Sequence, residues 1–460
     1  MVAVSRNLNQ STLDKWDADH AWHPFTQSSE RGFAPPLQIE KGEGHWLFDL
    51  NGNRYFDGTA SMWTNVRGHG NPSLDNALRE QLDYLAHSTF LGHGHPTATL
   101  LSRKLAEISP SALEVAFFTD NGSCAVEVAL KMSFQFWQLI GRPEKQKVVA
   151  MEGAYHGDTF GAMSVGGGGF FAERFRPWCF EVEHFPAPLC LESSGIIHQE
   201  DSTSSLDALQ LLLDREGDKI AALVLEPSVQ GAAGMKQQPS GFLQAVAELC
   251  QKADVHLILD EVFVGFGRLG EMLVCSDEGV QPDFLCLAKG LTGGYLPLAA
   301  TMTTSEVYAA FSGAYHEHKA LYHGHTFTAN PLAAAVALRN VEMLEEDLAQ
   351  GLVAEGTKAF GYYLNKTLAK HPNVREVRQR GLACCLDLCP DKDNSNAFPV
   401  TRRAGLEVCM EARARGVLLR PLGNSIPLVP PILVRPDELE FLCHVLRDSL
   451  DANFAKEQKS

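Results

Sequence analysis

Between about residue 75 and residue 335 the chain alternates two textures. Short runs of unbroken apolar residues are followed by longer stretches in which apolar positions recur every three or four residues. The runs predict strands over 115–119, 147–151, 221–225, 256–259 and 284–287. A strand that is apolar at consecutive positions is buried on both faces, as in a parallel sheet. The stretches between them, for example 125–139 and 240–253, carry the spacing of amphipathic helices. This βαβ rhythm predicts an α/β fold around a mostly parallel sheet. Ahead of it, 37–40 and 45–49 flank Gly42 and Gly44, and Asn51-Gly52-Asn53 turns into Arg54-Tyr55-Phe56, a hairpin pattern. After about residue 340 the pattern becomes one long amphipathic helix, strands over 381–388 and 417–420, and a last helix from Pro436. The expected division is 71–340 as a large domain and 341–460 as a smaller α+β domain, with the 1–70 segment and hairpin belonging to the small one. The four glycines at 166–169 read as a flexible loop.

Composition narrows the partners. Among 460 residues, 39 are basic and 56 acidic, a formal charge of −17. Nucleic acid and anionic membranes both call for basic surface, so neither is expected as a partner. No apolar run approaches the roughly 20 residues of a membrane helix, and residues 1–15 hold no apolar core of the signal-peptide kind. The eleven cysteines are scattered without paired zinc spacings. They read as reduced core thiols of a cytoplasmic protein.

Four segments carry chemistry. His256-Leu-Ile-Leu-Asp260-Glu261-Val262 is an apolar strand ending in two carboxylates. Strand carboxyl ends line the ligand crevice of a parallel sheet, although one such Asp alone equally fits a loop cap. Cys286-Leu-Ala-Lys289 ends a second strand and runs into Gly290-Leu-Thr-Gly-Gly294. A lysine there has little room to reach water, and desolvation lowers its pKa as a Schiff-base lysine requires; by itself it also fits a side chain snorkelling from a strand end. Thr119-Asp120-Asn121-Gly122-Ser123-Cys124 opens the 125–139 helix, whose free N–H groups and positive dipole end suit a phosphate. A plain N-cap at Asn121 is the other reading. Finally, Gly153-Ala-Tyr155-His156-Gly157-Asp158 places an aromatic ring past a strand end, where it can stack on a flat ligand.

A phosphate cradle, a stacking ring, a Schiff-base lysine and an acid for a ring nitrogen are together what pyridoxal phosphate requires. With these residues in view the chain resembles the class III aminotransferases of the fold-type I pyridoxal-phosphate enzymes. The likeness runs from Trp22-His-Pro-Phe-Thr26 to Arg420-Pro-Leu-Gly423 and Pro430-Pro431. It takes in Asp57-Gly58 through Gly68, Asn121-Gly-Ser123, Asp260-Glu-Val262 with Gly265-Phe-Gly-Arg268, Lys289-Gly-Leu-Thr-Gly-Gly294 and His323-Gly-His-Thr326. Tyr155-His-Gly-Asp-Thr-Phe-Gly-Ala-Met-Ser164 and the 22–26 segment point to the branch that serves biotin synthesis.

The resemblance implies a homodimer that holds pyridoxal 5'-phosphate on Lys289, which also shuttles a proton. Asp260 would pair with the ring nitrogen, Tyr155 stack on the ring, Val262 pack behind it and Glu226 lie nearby. Gly122 and Ser123 would hold the phosphate, joined by Thr326 from the neighbouring subunit with His325 beside it. Arg420 would take the far carboxylate of a long keto acid, in a pocket lined by Trp63, Tyr155, Lys289 and Gly324. The reaction implied moves an amino group from a small-molecule donor, S-adenosylmethionine or lysine, to a keto acceptor. A broad ω-amine:pyruvate aminotransferase shares the cofactor residues and is the alternative.

Two positions depart from the biotin branch. Met62-Trp63 stands where Trp-Trp is common, and Phe25 where Tyr is common; the lost hydroxyl removes a contact of about 1 kcal/mol. Gly265-Phe-Gly267-Arg-Leu-Gly270 matches a dinucleotide fingerprint, yet 271–274 is too short for the helix that fingerprint needs. His93/His95, His316/His318 and His323/His325 lack the helical spacing and third ligand of a zinc site, so no metal is expected.

Overall fold

The structure, a computed structural model, describes residues 9–193, 196–392 and 397–454; part of the N-terminal stretch read above, 1–8, lies outside them. Near the start, strands β1 (Ile39–Glu43), β2 (Trp46–Asp49) and β3 (Arg54–Asp57) form an antiparallel meander. The carboxylate of Asp49 accepts from the backbone N–H of Asn51 and Asn53, which closes the second turn. Trp46 packs edge-on against Phe56.

The central sheet has seven strands: β4 (Leu113–Thr119), β5 (Lys147–Met151), β6 (Glu183–Phe185), β7 (Ile220–Leu225), β8 (His256–Asp260), β9 (Phe284–Leu287) and β10 (Ala299–Thr304). Their order is β4-β10-β9-β8-β7-β5-β6. Only β10 runs against its neighbours. Every residue of β7, β8 and β9 is buried, which is why these strands tolerate no polar alternation. The helix Gly122–Leu139 starts directly after β4, with the Asn121 side chain accepting from Cys124 N at 3.0 Å. It buries Ala125, Ala129, Met132 and Phe136 on one face.

Toward the C-terminus the expected long helix is two helices, Pro331–Ala349 and Leu352–Thr367, broken at Gly351. Strands β11 (Val374–Arg380), β12 (Ala383–Leu388) and β14 (Ser425–Leu428) make an antiparallel sheet. Between them in sequence lies β13, only Val417–Leu418, which pairs in parallel with β3. The strand expected over 417–420 is cut short because Arg420 and Pro421 leave that pairing. The last helix is Pro436–Phe454. The loop expected over 166–169 is present, but it is packed: Gly167 N donates to Ala154 O, and a Cβ at 167 would stand 2.0 Å from Gly153 N. Among the described residues no helix is long and apolar enough to cross a membrane.

Candidate active site

The carboxyl ends of β4, β5, β7, β8 and β9 all face one cavity of about 400 Å³. In it meet Trp63, Gly122, Ser123, Tyr155, Glu226, Asp260, Val262 and Lys289, which the sequence nominates from six separate stretches. Lys289 sits two residues past β9 with a left-handed backbone, φ 46°. Its Nζ lies 5.2 Å from the centre of the Trp63 ring and 5.5 Å from that of Phe263. Burial in this apolar clamp pulls the Lys289 ammonium below its ordinary pKa, against the raising effect of Asp260 and Glu226. Arg268 adds a positive charge from behind. Its buried guanidinium donates to Leu382 O at 3.0 Å and Pro430 O at 2.6 Å, and so fastens this loop to the C-terminal sheet.

Asp260 ends β8. Its Oδ1 accepts from Val262 N at 3.0 Å, and its Oδ2 lies 2.7 Å from Nδ1 of the buried His156. Burial pulls the His156 imidazolium down, but the hydrogen bond and charge of Asp260 outweigh it and hold its pKa above the usual histidine value. Glu226, just past β7, accepts from the backbone N–H of Tyr155 and of Gly231, each at 3.0 Å. Burial, reinforced by the charge of Asp260, pushes its carboxyl up to about 7. Sequence reasoning named the tyrosine of this loop and passed over its neighbour His156. The available signal was a histidine beside an expected stacking ring at a strand end.

Gly122 and Ser123 form the first turn of their helix, so their N–H groups have no partner within it. A side chain at 122 would meet Val262 Cγ1 at 2.6 Å, so only glycine lets the helix start come this close to the Asp260 loop. Ser123 Oγ accepts from Asp158 N at 3.3 Å, and the Tyr155 hydroxyl donates to Asp158 Oδ2 at 2.9 Å.

Four nominated residues do not line this cavity within the single chain. Gly324 and Thr326 are exposed, and His325 Nδ1 stands 4.0 Å from Asp120 Oδ2 at the cavity rim. The Arg420 guanidinium donates to Phe25 O at 2.8 Å and Pro24 O at 3.4 Å. The histidines His93 and His95 are separated: His93 is exposed, whereas the buried His95 caps the helix Pro96–Ile108 through Ala98 N, and its Nε2 meets Ala329 O.

The sequence profile described as aminotransferase class-III matches residues 28–450. The chain belongs to that family. Among its relatives, the adenosylmethionine-8-amino-7-oxononanoate aminotransferase of Geobacter sulfurreducens is 45% identical over 96% of this chain and 98% of its own. The crystal structure of the enzyme of that name from Methanocaldococcus jannaschii superposes with a TM-score of 0.91 at 38% identity, covering 96% of this chain and 99% of that one. An ω-transaminase from Pseudomonas jessenii, solved in complex with PMP, reaches a TM-score of 0.89 at 28% identity, over 96% and 98% of the two chains.

As a class-III aminotransferase the chain is a transaminase dependent on pyridoxal phosphate, with the fold-type I architecture. Its residues fit that cofactor. The cavity holds a lysine in an apolar clamp with no described carboxylate bound to it, a carboxylate braced by His156, and a helix start that a Cβ at 122 would obstruct. Such a lysine, acid and helix start are of the kind that the group needs for attachment, for its ring nitrogen and for its phosphate.

Proposed function

We propose that this protein transfers an amino group to 8-amino-7-oxononanoate, giving 7,8-diaminononanoate in biotin synthesis, with S-adenosylmethionine or lysine as the donor. The observation that supports the substrate is the near-full-length likeness to the Geobacter sulfurreducens enzyme. The observation that supports the chemistry is Lys289 in its apolar clamp, two residues past the strand next to the one that ends in Asp260.

Pyridoxal phosphate, when bound, supplies an electron sink that makes the α-hydrogen of an attached amine acidic. The protein's residues do the rest. Lys289, kept out of water, would hold the cofactor and, through its Nζ, take up and return the proton of the substrate α-carbon. Asp260, fixed by His156 and by Val262 N, would keep the ring nitrogen protonated. Tyr155, Val262, Glu226, Gly122 and Ser123 line the cavity; there Tyr155 would stack on the ring, Val262 would back it with Glu226 beside it, and the N–H groups of Gly122 and Ser123 would take the phosphate. Trp63, with Tyr155 and Lys289, walls the acceptor site, and Arg420 receives the far carboxylate. A homodimer completes each site, bringing Thr326, with Gly324 and His325, from the neighbouring subunit. The exposure of Thr326 and Gly324 in the single chain accords with this. We further assign 71–340 to a large cofactor-binding domain and 1–70 with 341–460 to a small one, a division supported by the pairing of β3 with β13. The enzyme works in the cytoplasm on small molecules.

Single-turnover spectroscopy of the holoenzyme tests the reading. S-adenosylmethionine, lysine and 1-phenylethylamine are added separately, and each is chased with 8-amino-7-oxononanoate. Bleaching of the cofactor band by one of the first two, and its return with the keto acid, is the expected result and names the donor. Bleaching by the aryl amine alone, with recovery on pyruvate and none on 8-amino-7-oxononanoate, would overturn it in favour of a broad ω-aminotransferase.

A further inference from the structure

Ala60, Ser61, Met62 and Trp63 have φ of 43°, 49°, 63° and 75°. Four successive residues with side chains therefore make a left-handed turn, which places each Cβ against the following carbonyl. Such a stretch persists only when its surroundings over-determine it. Here the fastening is visible. The turn closes on itself through Trp63 N to Thr59 O, Thr64 N to Ala60 O and Asn65 N to Ala60 O. The buried carboxylate of Asp57 reaches across it: Oδ1 accepts from Ser61 N at 2.8 Å, and Oδ2 accepts from Ser61 Oγ at 2.8 Å.

His69 braces that carboxylate from the other side. Its Nε2 lies 3.0 Å from Asp57 Oδ2 and its Nδ1 lies 3.0 Å from the Asn65 amide. Its backbone exchanges two hydrogen bonds with Gly44, and its ring fills the space a side chain at Gly42 would need. The turn ends on Trp63, which is 6% exposed, packs 4.6 Å from Phe263 and covers Lys289. The indole Nε1 of Trp63 has no partner among the described residues although it is buried.

We propose that Asp57 and His69 are positioning residues of the acceptor site, which hold the strained Ala60–Trp63 turn so that the Trp63 indole lies over Lys289. This rests on the reading of the cavity given above. Neither residue lines the cavity; they act through the backbone of the turn.

The test uses the holoenzyme and three substitutions. Energy transfer from Trp63 to the bound cofactor is the part of the emission that Trp63→Phe removes, and it is read without any substrate. Asp57→Asn keeps the shape but loses one acceptor. It is expected to keep the cofactor band, to lower that transfer and to raise the acceptor KM about tenfold with a smaller change in kcat, the size of one lost hydrogen bond to a charged group. Adding Met62→Gly, which removes the left-handed penalty at that residue, is expected to restore most of the transfer. Should Asp57→Asn fail to fold, His69→Asn takes its place in the same pair. Transfer unchanged in the single variant, or lost and not restored by Met62→Gly, would overturn the proposal. A parent enzyme that does not act on 8-amino-7-oxononanoate would refute the substrate and leave the emission measurement standing.

Discussion

His156 Nδ1 stands 2.7 Å from Asp260 Oδ2, and the two side chains, 104 residues apart in sequence, are both out of water. The pair joins the loop after β5 to the end of β8, and it fixes the direction of the Asp260 carboxylate in the cavity. Removing one member of a buried pair leaves the other uncompensated, at a cost of about 3–5 kcal/mol.

His156→Asn should therefore destabilise the apoprotein by about 3 kcal/mol in urea unfolding. On the role proposed for Asp260 the cost should be smaller in the holoenzyme, where the protonated ring nitrogen gives the carboxylate a second partner. Equal losses with and without cofactor would show that Asp260 does not face that nitrogen.

Gly122 tests the cradle. Its Cβ would lie 2.6 Å from Val262 Cγ1, and overpacking of this kind costs about 1–3 kcal/mol. Gly122→Ala should weaken pyridoxal phosphate binding to the apoprotein by about tenfold to a hundredfold, read by absorbance titration. Val262→Ala in the same chain should recover much of the loss. A Gly122→Ala variant that binds as tightly as the parent would remove the helix start from the cofactor site.

The pH dependence of stability reports on Glu226. Unfolded, the carboxyl loses its proton near 4.5; folded, burial holds it protonated to about 7. The native state binds more protons over that window, so the contribution of this group falls as pH rises from 4.5 to 7, by up to about 3 kcal/mol. In Glu226→Gln the dependence is gone, but one of the N–H groups of Tyr155 and Gly231 must face an amide N–H. Parent and variant should therefore differ most near pH 5 and converge near pH 8, as followed by the Tm of the apoproteins. A gap that widens with rising pH would contradict the sign.

Much of the site was legible because one physical rule governs it. Strands apolar at every position, such as Leu257-Ile258-Leu259, must be central and parallel, and their carboxyl ends must face a ligand. Asp260 and Lys289 follow from that rule with no knowledge of contacts, whereas Glu226 is named only through the family resemblance. What stayed hidden depends on partners distant in sequence. His156 looks like any loop histidine until β8 brings Asp260 to it. The strand β10 reads Ala-Ala-Thr-Met-Thr-Thr, too weakly apolar to announce a central position, and is buried because β4 and β9 flank it. In β11, Val-Arg-Glu-Val-Arg-Gln-Arg resembles exposed surface, yet Arg378 is buried by its bidentate pair with Asp387. The left-handed turn at 60–63 is the extreme case. Ala-Ser-Met-Trp contains no glycine and no turn signal, and the contacts that Asp57 and His69 make around it appear only in the folded chain.

Arg420 links two parts of the chain that the sequence could only name separately. Its guanidinium donates to the carbonyls of Phe25 and Pro24, so the 22–26 segment and the loop after β13 are held together by one side chain. A carboxylate arriving at Arg420 would compete with these carbonyls, and charge-assisted, bidentate pairing favours the carboxylate. Arg420→Ala should raise the KM for the keto acceptor by about tenfold to a hundredfold, the worth of a hydrogen-bonded charge, with the donor half-reaction little changed. It should also free the 22–26 segment, seen as faster proteolytic cleavage there. Release of the segment with an unchanged acceptor KM would make Arg420 a purely structural strap and would leave the acceptor carboxylate to another residue.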